Sequence, residues 1–111
     1  MKKEEQDEAL RTTGNLLKVR RESIGMSRST LAMKVGTTYE SIRFYEEGRR
    51  AMRLDRLFAL LSALGIPANG LLSRMEEDLR KTVRLATRIS ALSADEYRSL
   101  IQKIESLLED G

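Results

Sequence analysis

The chain has 111 residues, 41% of them hydrophobic and 33% charged, with no cysteine, no histidine and a formal net charge of +3. Disulfides, thiolate or imidazole metal sites and nucleophilic catalysis of the Cys-His or Ser-His kind are thereby excluded. One domain with a short appendage fits the length, and one proline, five aromatics and no tryptophan favour packed helices over a sheet.

Residues 1–13 begin Met-Lys-Lys-Glu-Glu-Gln-Asp-Glu and have no apolar period beyond Ala9 and Leu10. They read as a polar N-terminal tail, with a helical extension as the alternative, opposite in character to a secretory signal. No apolar run approaches the ~18–20 residues of a membrane span, so a cytoplasmic chain with no membrane partner is expected. Leu16, Leu17, Val19 and Ile24 then lie in a basic stretch that ends at Gly25, which predicts a first helix over 15–23. Ser27 is a good N-cap for a short helix over 28–35, and Gly36 stops it. Thr37 or Thr38 caps a third helix over 38–47, ended by Gly48. A basic loop of Arg49, Arg50, Ala51, Met52 and Arg53 leads to a fourth helix over 54–64, with Leu54, Leu57, Leu60, Leu61 and Leu64 at helical spacing. Gly65-Ile-Pro breaks it before a short fifth helix at 68–72.

The remaining chain changes character. Met75, Leu79, Val83, Ala86 and Ile89 recur every three or four residues, predicting a charged amphipathic helix over 74–90. Ser93-Ala-Asp-Glu96 is a capping box. It opens a last helix over 94–109 with Tyr97, Leu100, Ile101, Ile104, Leu107 and Leu108 on one side.

Charge is unevenly placed. Residues 14–72 hold ten Lys and Arg against five Asp and Glu, a net of +5, while residues 1–13 and 73–111 are each at −1. A basic block between near-neutral flanks points to an anionic partner, nucleic acid first. No paired acids sit in an apolar setting that would suit catalysis, so no enzyme and no cofactor are expected.

Two short helices joined by a glycine-centred turn form a helix-turn-helix. Leu31, Ala32 and Val35 give the first of the two an apolar side, and the small Ala32 lets the second cross closely. Ile42 and Tyr45 share a side of the second and form its buried pair. Tyr39, Glu40, Arg43 and Phe44 then point the other way. The DNA major groove suits that side: Arg43 can pair with guanine, Glu40 can accept from cytosine, and Phe44 or Tyr39 can touch a thymine methyl. The alternative reading makes Phe44 a core or dimer contact and the charges a solvated surface.

Residues 14–72 resemble the lambdoid phage repressor type of helix-turn-helix, the xenobiotic-response-element family. Gly14 and Leu17, Arg21 and Gly25, and then Leu31, Ala32, Gly36, Ile42, Glu46 and Gly48 fall in that family's register. The Leu-rich run at 57–66 and Leu71-Leu72 match its fourth and fifth helices. The resemblance implies an all-α fold, a five-helix lambda-repressor-like DNA-binding domain followed by a C-terminal pair of amphipathic helices. It implies an ion pair between Arg21 and Glu46 that ties the first helix to the third. It makes the helix over 38–47 the recognition helix, with Thr38, Tyr39, Glu40, Arg43 and Phe44 reading bases. Ser27, Arg28, Thr37, Arg49, Arg50 and Arg53 become the phosphate contacts.

Two positions depart from the pattern. Arg28 stands where glutamine usually opens the second helix, and Phe44 stands where polar readers are common. "SIRFYEEG" also resembles the mercury-resistance regulators locally, a minor alternative with an effector-responsive regulator behind it.

Residues 73–111 are expected to supply a homodimer interface through Met75, Leu79, Val83, Tyr97, Leu100, Ile101, Ile104 and Leu108, since exposed apolar stripes mark interfaces. The other arrangement folds them back on their own domain. The function expected is a sequence-specific regulator, a repressor, bound to a double-stranded operator as a dimer. The alternative is an antitoxin-type protein that binds a toxin or other protein partner as well as DNA.

Overall fold

The computed structural model describes residues 3–66 and 93–110, together with 77, 80, 81 and 84. The expected helix at 68–72 lies outside these residues, as do Met75, Leu79, Val83 and the side chain of Leu108. Five helices are described: α1 (Lys3–Ser23), α2 (Arg28–Val35), α3 (Tyr39–Glu46), α4 (Leu54–Ala63) and α5 (Ala94–Asp110). No strand occurs among the described residues.

Local chemistry sets the boundaries. Ser27 is in the extended region and its Oγ accepts from the Thr30 amide at 3.0 Å, satisfying one orphan donor of α2. Thr38 does the same for α3, accepting from the Ser41 amide at 3.1 Å. Gly36 closes α2 at φ +74°, a left-handed conformation that costs a side-chain-bearing residue about 1 kcal/mol or more. Its amide bonds to the Met33 carbonyl at 3.4 Å and the Thr37 amide to the Ala32 carbonyl at 2.9 Å, the paired bonds of a Schellman turn. The same pairing closes α1, α3 and α4. Two arginines also reach across to helix C-termini: Arg56 Nη1 donates to the Val35 carbonyl at 3.1 Å, and Arg20 Nε to the Leu64 carbonyl at 3.0 Å. Such bonds satisfy orphan carbonyls and place positive charge at the negative end of a helix.

One core joins all five helices. Leu17 of α1, Leu31 and Ala32 of α2, Ile42 and Tyr45 of α3, and Leu54, Leu57, Leu60 and Leu61 of α4 are buried together, and Leu100, Ile101 and Ile104 of α5 belong to the same cluster. Burying a leucine or isoleucine side chain stabilises by roughly 1.5–3 kcal/mol, so α5 supplies a substantial share of the fold.

Gly14 makes the α1–α3 crossing possible. A Cβ there would fall well inside contact distance of the Tyr45 carbonyl oxygen and 2.6 Å from that of Glu46. A glycine within a helix costs about 1 kcal/mol relative to alanine; here the backbone of α3 occupies the space a side chain would need.

Two expectations need correction. The polar tail expected over 1–13 gives way to its alternative, a helical extension: from Lys3 onward these residues are the first half of α1. Thr13 is fully buried there, its hydroxyl donating to the Ala9 carbonyl at 2.8 Å and lying 3.3 Å from the Tyr97 hydroxyl of α5. The polar sequence conceals this because Thr13 meets its hydrogen-bonding need within its own helix, and the apolar cover comes from α5. The second correction concerns the dimer interface expected at Leu100, Ile101 and Ile104. These side chains are 0%, 6% and 1% exposed within the single chain, and Tyr97 packs half-buried against the same core. That stripe is taken up by the chain's own α1, as in the fold-back arrangement.

Candidate nucleic-acid interface

The turn of Gly36, Thr37 and Thr38 brings α3 across α2. Ile42 and Tyr45 lock α3 inward, at 1% and 9% exposure. The opposite side stays open: Tyr39 is 48% exposed, Glu40 is exposed, and Arg43 and Phe44 are half-buried. Arg49, Arg50 and Arg53 are exposed just beyond the C-terminus of α3.

Glu46 anchors this arrangement from beneath. Arg21 of α1 grips its carboxylate with two bonds, Nε to Oε2 at 2.7 Å and Nη2 to Oε1 at 3.0 Å. Arg28 of α2 adds Nε to Oε1 at 3.0 Å. The Glu46 side chain is 1% exposed, so one buried carboxylate joins α1, α2 and α3. Arg21 also donates to the Met26 carbonyl at 2.8 Å, fixing the loop before α2. The hydrogen bonds that Arg21 donates to Glu46 raise its pKa above the ordinary value against the cost of burial. Arg28 is raised as well, first by a hydrogen bond with Tyr39 and then by Glu46. Neither guanidinium loses its proton at any physiological pH.

A second cluster forms around Phe44. The guanidinium carbons of Arg43, Arg49 and Arg50 lie 5.1, 4.9 and 4.9 Å from its ring centroid, within the ~6 Å range of cation–π attraction. Arg50 Nη1 also donates to Ser41 Oγ at 2.9 Å, tying the loop back onto α3. The Arg43 Nε is buried with no hydrogen-bond partner among the described residues, an arrangement that costs on the order of 1–3 kcal/mol. Ion pairs from Arg49 to Glu47 and from Arg53 to Asp55, both at 3.4 Å, are exposed and stabilise little.

The helix-turn-helix family model matches residues 17–71. Through this segment the chain belongs to the lambda-repressor-like helix-turn-helix family. A relative from Rhodospirillum rubrum, named "Uncharacterized transcriptional regulator in ATPase CF(0) region", is 30% identical over 63 residues. That match takes in 57% of this chain and 58% of the relative, so the chain spans a little over half of the relative's length. No solved structure matches the chain.

Within this helix-turn-helix, the expected base readers separate into two kinds. Tyr39, Glu40 and Arg43 are together on the outer side of α3. Thr38 is spent on capping: its hydroxyl accepts from the Ser41 amide and donates to Ser41 Oγ at 3.0 Å. Phe44 is ringed by arginines and does not stand free. The expected phosphate contacts divide likewise. Arg49, Arg50 and Arg53 are exposed at the edge of α3. Ser27 caps α2 and also donates to Thr30 Oγ1 at 2.9 Å, and the Thr37 amide closes the turn. Arg28, with 21% of its side chain exposed, has its Nε committed to Glu46.

The sequence contained a hint of the Arg28 bond, since arginine replaced the usual glutamine one helix away from a buried glutamate. Ser41, which links Thr38 to Arg50, carried no signal: a serine in mid-helix reads as solvated. Among the described residues no cluster of three or more His, Cys, Asp or Glu could hold a metal ion, and no helix is long and apolar enough to cross a membrane.

Proposed function

We propose that the chain is a sequence-specific DNA-binding transcription regulator that presents the outer side of α3 to the major groove. The observation that carries this reading is the division of α3. Its inner side is locked by Ile42, Tyr45 and the buried Glu46, while Tyr39, Glu40 and Arg43 remain together on the open side beside the arginine rim. Tyr39, Glu40 and Arg43 would read base edges; Arg49, Arg50 and Arg53 would meet phosphates. The Rhodospirillum rubrum relative's name, a transcriptional regulator, supports the same class.

The regulator acts as a repressor by occupying a promoter site. It binds as two copies, because one helix-turn-helix covers half an operator and paired half-sites lie ~34–36 Å apart. The inner stripe of α5 is unavailable for that pairing, so the contact between copies uses other surfaces. Selection of bound sites from random duplexes tests the reading. The wild type should enrich a two-fold symmetric sequence, and Arg43→Ala should lose preference at one base pair of each half. Failure to enrich any sequence would count against it.

A further inference from the structure

Phe44 is misplaced for a base reader and unusually placed for a surface aromatic. It stands on the last turn of α3, where the helix passes into the loop bearing Arg49 and Arg50. Three guanidiniums, one from the helix and two from the loop, gather at about 5 Å from its ring. Any two of them are therefore no more than about 10 Å apart, comparable with a Debye length of ~8 Å, so their mutual repulsion is only partly screened. Among the described residues a single carboxylate, Glu47, answers them, through Arg49 at 3.4 Å on the exposed side. Arg50 is steadied by a neutral hydroxyl, Ser41 Oγ. The cluster thus converges positive charge, holds it in place by an aromatic ring and a serine, and leaves most of it uncompensated.

We propose that Phe44 is a positioning residue: its ring, with Arg43 against it on the base-reading side, holds Arg49 and Arg50 together as one cradle for the phosphodiester backbone at the edge of the groove, and reads no base itself. This rests on the reading of α3 as the helix that enters the groove. The ring's electron-rich faces attract the guanidiniums and limit their rotamers before DNA arrives. Binding then costs less side-chain entropy than two free arginines would lose. The contribution is indifferent to sequence because phosphates carry no sequence.

The test compares the full-length wild type with Phe44→Leu, Phe44→Tyr and Arg50→Ala on several unrelated duplexes across a salt titration, with melting curves for each variant. Phe44→Leu should weaken binding to every duplex about tenfold, since the arginines remain but lose their template. Its salt slope should match the wild type, whereas Arg50→Ala should lower the slope by about 0.9. Phe44→Tyr, which keeps the ring, should restore binding. A loss confined to one sequence would make Phe44 a base reader and overturn the proposal, and so would wild-type affinity in Phe44→Leu. Absence of DNA binding by the wild type would instead sink the groove reading itself, and this inference with it. A second measurement needs neither DNA nor a variant. The Nε–Hε resonances of Arg43, Arg49 and Arg50 in the free wild-type protein should be displaced by the Phe44 ring current; resonances at random-coil positions would overturn the cradle.

Discussion

Replacing Gly14 with alanine opposes two effects of known size. In an exposed helix the change stabilises by about 0.8–1.0 kcal/mol. Here the new Cβ would press on the Tyr45 carbonyl oxygen and lie 2.6 Å from the Glu46 oxygen and 2.9 Å from its carbonyl carbon. Ordinary carbon–oxygen contacts are no closer than ~3.3 Å, so α1 and α3 must part by the better part of an ångström. The atoms in the way are backbone and cannot rotate aside. Overpacking of this kind costs typically 1–3 kcal/mol, and it falls beside the carboxylate that joins three helices. A net loss of about 1 kcal/mol is expected, which for a chain of this length lowers the melting temperature by roughly 4 °C. Thermal and urea melts followed by far-UV circular dichroism measure it. Asn15→Ala, at the exposed neighbouring position, serves as the control and should hold or raise the melting temperature. If Gly14→Ala is as stable as the wild type or more so, the close crossing of α1 and α3 is wrong.

Other perturbations address other joints. Glu46→Ala leaves Arg21 and Arg28 without their shared carboxylate and should destabilise by about 3–5 kcal/mol in urea melts, the cost of an uncompensated buried charge. Ile104→Ala, at a site 1% exposed, should cost about 2–5 kcal/mol in the same assay; a loss under 1 kcal/mol would mean that α5 is not part of the core. Burial of Tyr97 raises its pKa above 10.0, with the Thr13 hydrogen bond acting the other way. The folded chain therefore holds that proton more tightly than the unfolded chain. Its contribution is complete below about pH 10 and is lost as pH rises through the folded value. Melting temperature should thus fall more steeply above pH 10 in the wild type than in Tyr97→Phe, and equal slopes would refute the buried phenol.

Much of the helix-turn-helix was legible because its signals are local. Ser27 and Thr38 sit where the extended backbone needs a capping hydroxyl, and Gly36 and Gly48 sit where it turns left-handed. The boundaries of α2, α3 and α4 accordingly fall within a residue of the periodicity. The Arg21–Glu46 contact was implied by family register alone, since nothing in the spacing of two residues 25 apart reveals a bond between them. What escaped was tertiary. The first half of α1 looks like a polar tail because the apolar surface that covers it belongs to α5, some 80 residues later. The α5 stripe looked like a dimer interface for the complementary reason: its partner, around Thr13 and Leu17, offers too few apolar residues in sequence to announce itself. The bond from Arg28 to Glu46 was not plain in the sequence because charge and position near a helix start fit phosphate and carboxylate equally well. The cluster around Phe44, expected to touch a thymine methyl, was hidden because three arginines at sequence offsets of one, five and six converge only in space.

The claim on which function depends is that the outer side of α3 lies in a major groove. Methylation of guanine N7, which projects into that groove, probes it directly. With a selected site, N7 methylation at the guanine paired with Arg43 should abolish binding by the wild type and have little further effect on Arg43→Ala. Adenine N3 methylation in the minor groove at neighbouring A·T pairs should matter little. Binding that tolerates N7 methylation throughout the site, or that is blocked only from the minor groove, would contradict the account.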